Sequence, residues 1–121
     1  MWTKELTKAE FDCSHTGLNA MKPEFIAALQ RVREKCGFPF NITSGYRDVS
    51  HPRESEKEVP GYHTEGVAVD LACGSDLSFV ITKYALEEKF TGIGVSQNKR
   101  GKRFIHLDMR PVTDTSRIYS Y

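Results

Sequence analysis

The stretch His63-Thr64-Glu65-Gly66-Val67-Ala68-Val69-Asp70-Leu71-Ala72 decides how this chain folds. Its second half alternates with a period of two. Val67, Val69 and Leu71 fall on one face of a strand, and Ala68, Asp70 and Ala72 fall on the other. The first face is a core face. The second carries small side chains on either side of one carboxylate, which leaves room beside Asp70. Gly66 lets the backbone turn between His63 and the strand.

The elements around this strand can be read outward from it. Upstream, Phe25, Ile26, Leu29, Val32 and Cys36 recur at helical steps, with Pro23 near the start and Gly37 just past the end. This asymmetry predicts an amphipathic helix over about 22–36. Phe40-Asn41-Ile42-Thr43 alternates as a short strand that Ser44-Gly45-Tyr46-Arg47 ends. The stretch 48–62 is polar, carries Pro52 and Pro60, and has no period. Loops of that length in small domains are often functional, and the Arg53 to Glu58 run within it reads as a solvated face.

Downstream, Ser75 or Asp76 is expected to cap a second helix with the stripe Leu77, Val80, Ile81, Tyr84 and Ala85. Ile93 to Ser96 and Arg103 to Met109 read as two strands of a hairpin with Gly101 at its tip. In the second, Phe104, His106 and Asp108 share the face away from the core. Lys99, Arg100, Lys102 and Arg103 read as a solvated tip, with contact to an anionic polymer as the alternative. The order of elements predicts an α+β fold with an antiparallel sheet and two main helices, as one domain over 1–121. The tail beyond Pro111 has no assignable pattern.

Composition narrows the function. The chain has 121 residues, with 17 basic against 16 acidic side chains and a net charge of +1. That balance excludes a nucleic-acid binder that works by bulk positive charge. No apolar run approaches the roughly 18 residues of a membrane span, so neither nucleic acid nor membrane is an expected partner. The first residues show no apolar segment of a signal peptide, so synthesis in the cytoplasm is expected. Cys13, Cys36 and Cys73 form no close pair and read as reduced or buried thiols, with a Cys13–Cys36 disulfide as the alternative. A monomer is the expected state.

The ionisable residues then fall into one pattern. His63, Asp70 and His106 are imidazole and carboxylate ligands on neighbouring segments. Catalytic zinc sites use three such ligands and keep a position open. His15 and His51 have no such context.

Read together, Ser44-Gly45-Tyr46-Arg47, His63 to Asp70 and Phe104-Ile105-His106-Leu107-Asp108 show S-G-Y-R, H-x-x-G-x-A-x-D and H-x-D in this order. The set resembles the zinc D-Ala-D-Ala carboxypeptidase family, and in particular its small branch of murein endopeptidases and bacteriophage proteins. The resemblance implies one zinc ion per chain, held by His63, Asp70 and His106. It implies an α+β fold shared with lysostaphin-type peptidases and the hedgehog domain. It further implies hydrolysis of peptide bonds in peptidoglycan stem peptides, by a carboxypeptidase or an endopeptidase. Arg47 matches the arginine that binds a substrate carboxylate or the developing oxyanion.

Several relatives carry an acid three positions before the last ligand, or a histidine two before it; here those positions are Arg103 and Phe104. The general base is therefore sought elsewhere. Asp108 is one candidate, with orientation of a ligand or an arginine as its other reading. Glu65 is a second candidate. Tyr46 and Tyr62 either line a substrate groove or simply pack. The expected route to the cell wall is phage-type release or delivery in a virion. The competing function is a zinc-binding interaction or virion module without catalysis.

Overall fold

A computed structural model describes residues 1–55, 61–98, 100–111 and 116–121. Lys99, part of the expected hairpin tip, and positions 56–60 of the expected loop lie outside the described residues. The elements in chain order are α1 (Lys8–Phe11), α2 (Pro23–Cys36), β1 (Ile42–Ser44), α3 (Pro52–Ser55), a 3-10 turn (Tyr62–Glu65), β2 (Ala68–Ala72), α4 (Ser75–Glu87), β3 (Gly92–Gln97), β4 (Arg103–Asp108) and β5 (Arg117–Ser120). This is the expected α+β fold with two main helices.

The sheet order is β1-β2-β4-β3-β5. The first four strands are antiparallel neighbours, and β5 joins β3 in parallel. The sheet is therefore mixed, where the order of elements had suggested an antiparallel one. The four-residue β5 is too short to announce itself by pattern, and parallel pairing depends on a connection that sequence spacing does not show.

Alternation in β2 and β4 divides the sheet into two faces. Val69, Leu71, Ile93, Ile105 and Leu107 point into a core with Phe25, Ile26, Leu29 and Val32 of α2 and Ile81 and Ala85 of α4. Burying each large apolar side chain contributes roughly 1.5–3 kcal/mol before entropy is charged. The register pairs Ala68 with Asp108, Asp70 with His106, and Ala72 with Phe104. The polar row thus lies on the face that the helices leave free.

Two local expectations change. Gly74, rather than Ser75 or Asp76, is the N-cap of α4. Leu77 lies at the helix margin, and the buried helix positions are Ser78, Ile81 and Ala85. The N-terminal segment, which has no legible period, adds Leu6, Phe11 and Met21 to the core. The Phe11 carbonyl accepts a hydrogen bond from the Tyr46 N–H at 2.9 Å, which anchors the segment before Arg47.

Cys13, Cys36 and Cys73 are all free thiols, so the Cys13–Cys36 bridge is absent. Burial pushes the Cys36 thiol up to about 11. Among the described residues no helix is long and apolar enough to cross a membrane.

Candidate metal centre

The 3-10 turn delivers His63 to the open face of the sheet. It ends at Gly66, whose φ of 73° is left-handed, and a Cβ there would lie 2.0 Å from the Ala20 carbonyl oxygen. Only glycine fits both demands. His63 is therefore placed by a turn before β2 rather than by the strand itself. Its Nδ1 donates to the Gly45 carbonyl at 2.8 Å, which leaves Nε2 as the ring nitrogen that faces Asp70.

Asp70 is at the middle of the constellation. Its Oδ1 lies 3.4 Å from His63 Nε2 and 2.9 Å from His106 Nδ1. One ligand atom from each of the three residues lies within 4.8 Å of the other two. Two imidazoles and a carboxylate, each with its remaining polar atoms already engaged, fit a zinc ion with an open position. His106 Nε2 is 2.8 Å from Asp108 Oδ2, so Nδ1 is the ring nitrogen that faces the centre.

Electrostatics follow from these contacts. Burial works to raise the Asp70 pKa, but hydrogen bonds from His106 and His63 outweigh it and hold the carboxyl well below its ordinary value. Burial works to lower the His106 pKa, but Asp108 and Asp70 outweigh it and raise the value. Without metal, His106 is clamped between two carboxylates and both ring nitrogens donate. A metal ion held at Nδ1 would take the place of one of those protons.

Arg47, at the end of β1, is held on three sides. Its Nε donates to Ser44 Oγ at 3.0 Å, its Nη1 to Glu54 Oε2 at 3.1 Å and its Nη2 to Asp70 Oδ2 at 3.3 Å. Glu54 is buried and also accepts from the Gly61 N–H at 2.8 Å. The expected solvated run thus has one member turned inward, because Arg47 offers a cation that compensates its burial.

Asp108 is fully buried. Arg110 grips it through Nε at 2.9 Å and Nη2 at 2.6 Å, and the Arg110 N–H adds a third bond at 3.1 Å. Burial works to raise the Asp108 pKa, but the bonds from Arg110 and His106 bring it down to about 2. Glu65 is solvent-exposed on the outer side of the turn. His15 and His51 lie with their rings 6.1 Å apart and do not join the metal group.

A hollow of about 490 Å³ opens over His63, Asp70 and His106, lined also by Arg47, Tyr62, Phe104, Arg110, Tyr119 and Tyr121. Tyr62 is thus a lining residue, whereas Tyr46 packs against the core. Among the described lining residues Asp70 is the only carboxylate. The sequence reading missed Glu54, Arg110, Tyr119 and Tyr121. For Arg110 a signal was present: it continues the alternation of His106 and Asp108 by one more step. Gly92 and Gly94 were a second overlooked signal. A Cβ on Gly92 would lie 2.1 Å from Asp108 Oδ1, and one on Gly94 would lie 2.5 Å from Tyr119 Cε2. Both glycines clear the polar face of the sheet.

A search of curated proteins found no match. The family model described as Peptidase M15 matches residues 2–108, which takes in His63, Asp70, His106, Arg47 and Asp108. With motifs, register and convergent ligands in agreement, the chain belongs to this peptidase family, that of the D-Ala-D-Ala carboxypeptidases.

Proposed function

We propose that this protein is a zinc-dependent peptidase that hydrolyses peptide bonds in the stem peptides of bacterial peptidoglycan. The observation that carries the reading is the convergence of His63 Nε2, Asp70 Oδ1 and His106 Nδ1 beneath an open hollow. When bound there, zinc supplies Lewis acidity for the scissile carbonyl and activates water near neutral pH. His63, Asp70 and His106 hold the ion, one per chain.

The remaining residues bind and orient. Arg47 presents a fixed guanidinium at the rim of the hollow, suited to a substrate carboxylate or carbonyl. Glu54 and Ser44 keep it from swinging away. Asp108 acts on His106 Nε2, and its bidentate contact with Arg110 favours orientation of the ligand over proton abstraction. A carboxylate held at about 2 is also a weak base for a group that must take a proton near neutrality.

In this reading the protein acts on the cell wall after phage-type release or delivery in a virion. A second reading is a zinc-binding interaction or virion module without catalysis. It is favoured by the fact that Asp70 is the only carboxylate among the described lining residues. Incubation of the zinc-loaded protein with purified sacculi separates the two. Chelator-sensitive release of stem-peptide fragments supports the peptidase, and stoichiometric zinc with no release supports the module.

A further inference from the structure

The last strand does more than extend the sheet. β5 runs parallel to β3 in a register that sets Tyr119 opposite Gly94, and Gly94 is itself paired with His106 on β4. Tyr119 therefore continues the row that carries the ligand. Because Gly94 has no side chain, the Tyr119 and Tyr121 rings occupy the space above it, 2.5 and 2.8 Å from where a Cβ would be. They reach across β3 toward the metal centre. The Tyr119 ring centroid is 6.0 Å from that of His106, and the Tyr121 centroid is 4.9 Å from that of Phe104. Both tyrosines line the hollow over the three ligands.

Their hydroxyls are 3.3 Å apart. Each phenol carries one proton at neutral pH. One proton bridges the pair, and neither hydroxyl makes another hydrogen bond among the described residues. One O–H is thus left to donate, next to a hollow whose only described carboxylate is Asp70. Arg110 braces the arrangement, with its guanidinium carbon 4.8 Å from the Tyr62 ring centre and 5.8 Å from that of Tyr119. It is fixed in turn by Asp108.

We propose that the Tyr119–Tyr121 hydroxyl pair is a substrate-oxygen donor, which binds the carbonyl oxygen of the peptide bond lying over His63, Asp70 and His106. The donation strengthens as negative charge develops on that oxygen, which is the condition for a donor to accelerate hydrolysis. No proton changes owner. The proposal rests on the peptidase reading but concerns a segment beyond the family match, which ends at residue 108. Arg47 and the tyrosine pair then face the substrate from opposite ends of the ligand row.

The test uses the full-length, zinc-loaded protein and a phosphinate analogue of D-Ala-D-Ala, which carries tetrahedral anionic oxygens. Tyr119→Phe, Tyr121→Phe and the double variant keep both rings and remove the hydroxyls. Calorimetry should show the double variant losing phosphinate affinity on the order of 10²-fold, with zinc content and Tm unchanged. Each single variant should lose less, because the remaining hydroxyl still donates. In turnover assays kcat should fall while KM holds. A double variant that binds phosphinate as tightly as the parent overturns the proposal, and so does a parent protein that does not bind phosphinate at all. A parent that binds phosphinate but cleaves no peptide overturns the peptidase reading instead, and the affinity comparison still decides the donor.

Discussion

His106 Nε2 lies 2.8 Å from Asp108 Oδ2, and Asp108 is buried and held by Arg110 through three further bonds. The candidate ligand is therefore oriented from behind by a carboxylate that is itself fixed. This relationship predicts how Asp108 variants behave. Asp108→Asn should weaken zinc binding about 10–100-fold, the usual cost of losing a carboxylate behind a histidine ligand. Chelator-competition titration measures this. Unchanged zinc affinity with abolished turnover would instead make Asp108 the general base.

Glu54 is the buried counter-charge of Arg47. Removing one partner of a buried ion pair costs roughly 3–5 kcal/mol, so Glu54→Ala should lower stability by about that amount in urea unfolding. Glu54→Gln keeps an acceptor for the Gly61 N–H but loses the charge. It should retain zinc and lose about 10-fold or more in kcat/KM, since a misplaced clamp costs rate rather than metal. Wild-type kinetics in Glu54→Gln would remove Arg47 positioning from the account.

The bare face of β3 gives a steric prediction. Gly94→Ala places a methyl group inside the Tyr119 and Tyr121 rings. It should displace β5 and lower stability by about 1–3 kcal/mol while sparing zinc. Gly92→Ala meets the Asp108 carboxylate instead, so it should weaken zinc binding as well. Thermal melts and zinc titrations of the two variants distinguish these effects. Equal behaviour of the two would contradict the division of roles.

Acid stability of the metal-free protein has a definite sign. Asp108 titrates at an ordinary value of 3.8 when unfolded and at about 2 when folded. Its folded pKa is lowered, so its contribution is complete above 3.8 and is lost as pH falls toward 2. The size is roughly 2 kcal/mol, and the lowered Asp70 pKa adds in the same direction. His106 has the opposite sign: its pKa is raised from 6.5, so its contribution is complete below 6.5 and fades as pH rises through the folded value. Urea unfolding of the chelator-treated protein should therefore be steepest in its pH dependence below about pH 4. A flat profile between about pH 4 and 2 would contradict the pairing of Asp108 with Arg110 and His106.

Much of this was legible in the residues. Strict alternation in Val67 to Ala72 placed Asp70 on the open face, and the same rule placed His106 and Asp108 beside it. The helix of residues 23–36 was marked by its proline, its glycine and its apolar stripe. The remainder depended on long-range geometry. Glu54 appears in a charged run, and only the approach of Arg47 from β1 explains its burial. Tyr119 and Tyr121 gain meaning from a parallel pairing with Gly94 that no local pattern announces. The segment before Met21 folds through scattered apolar residues rather than a period, so its part in the core rests on long-range contacts such as that of Phe11 with Gly45.

The central claim is that His63, Asp70 and His106 together hold one zinc ion. Its most direct test is the zinc content of the purified, reconstituted protein beside His63→Ala and His106→Ala, both checked for folding. The account predicts one zinc per chain in the parent protein and none retained in either variant. A parent that holds no zinc, or a folded His63→Ala protein that still holds one, would contradict it.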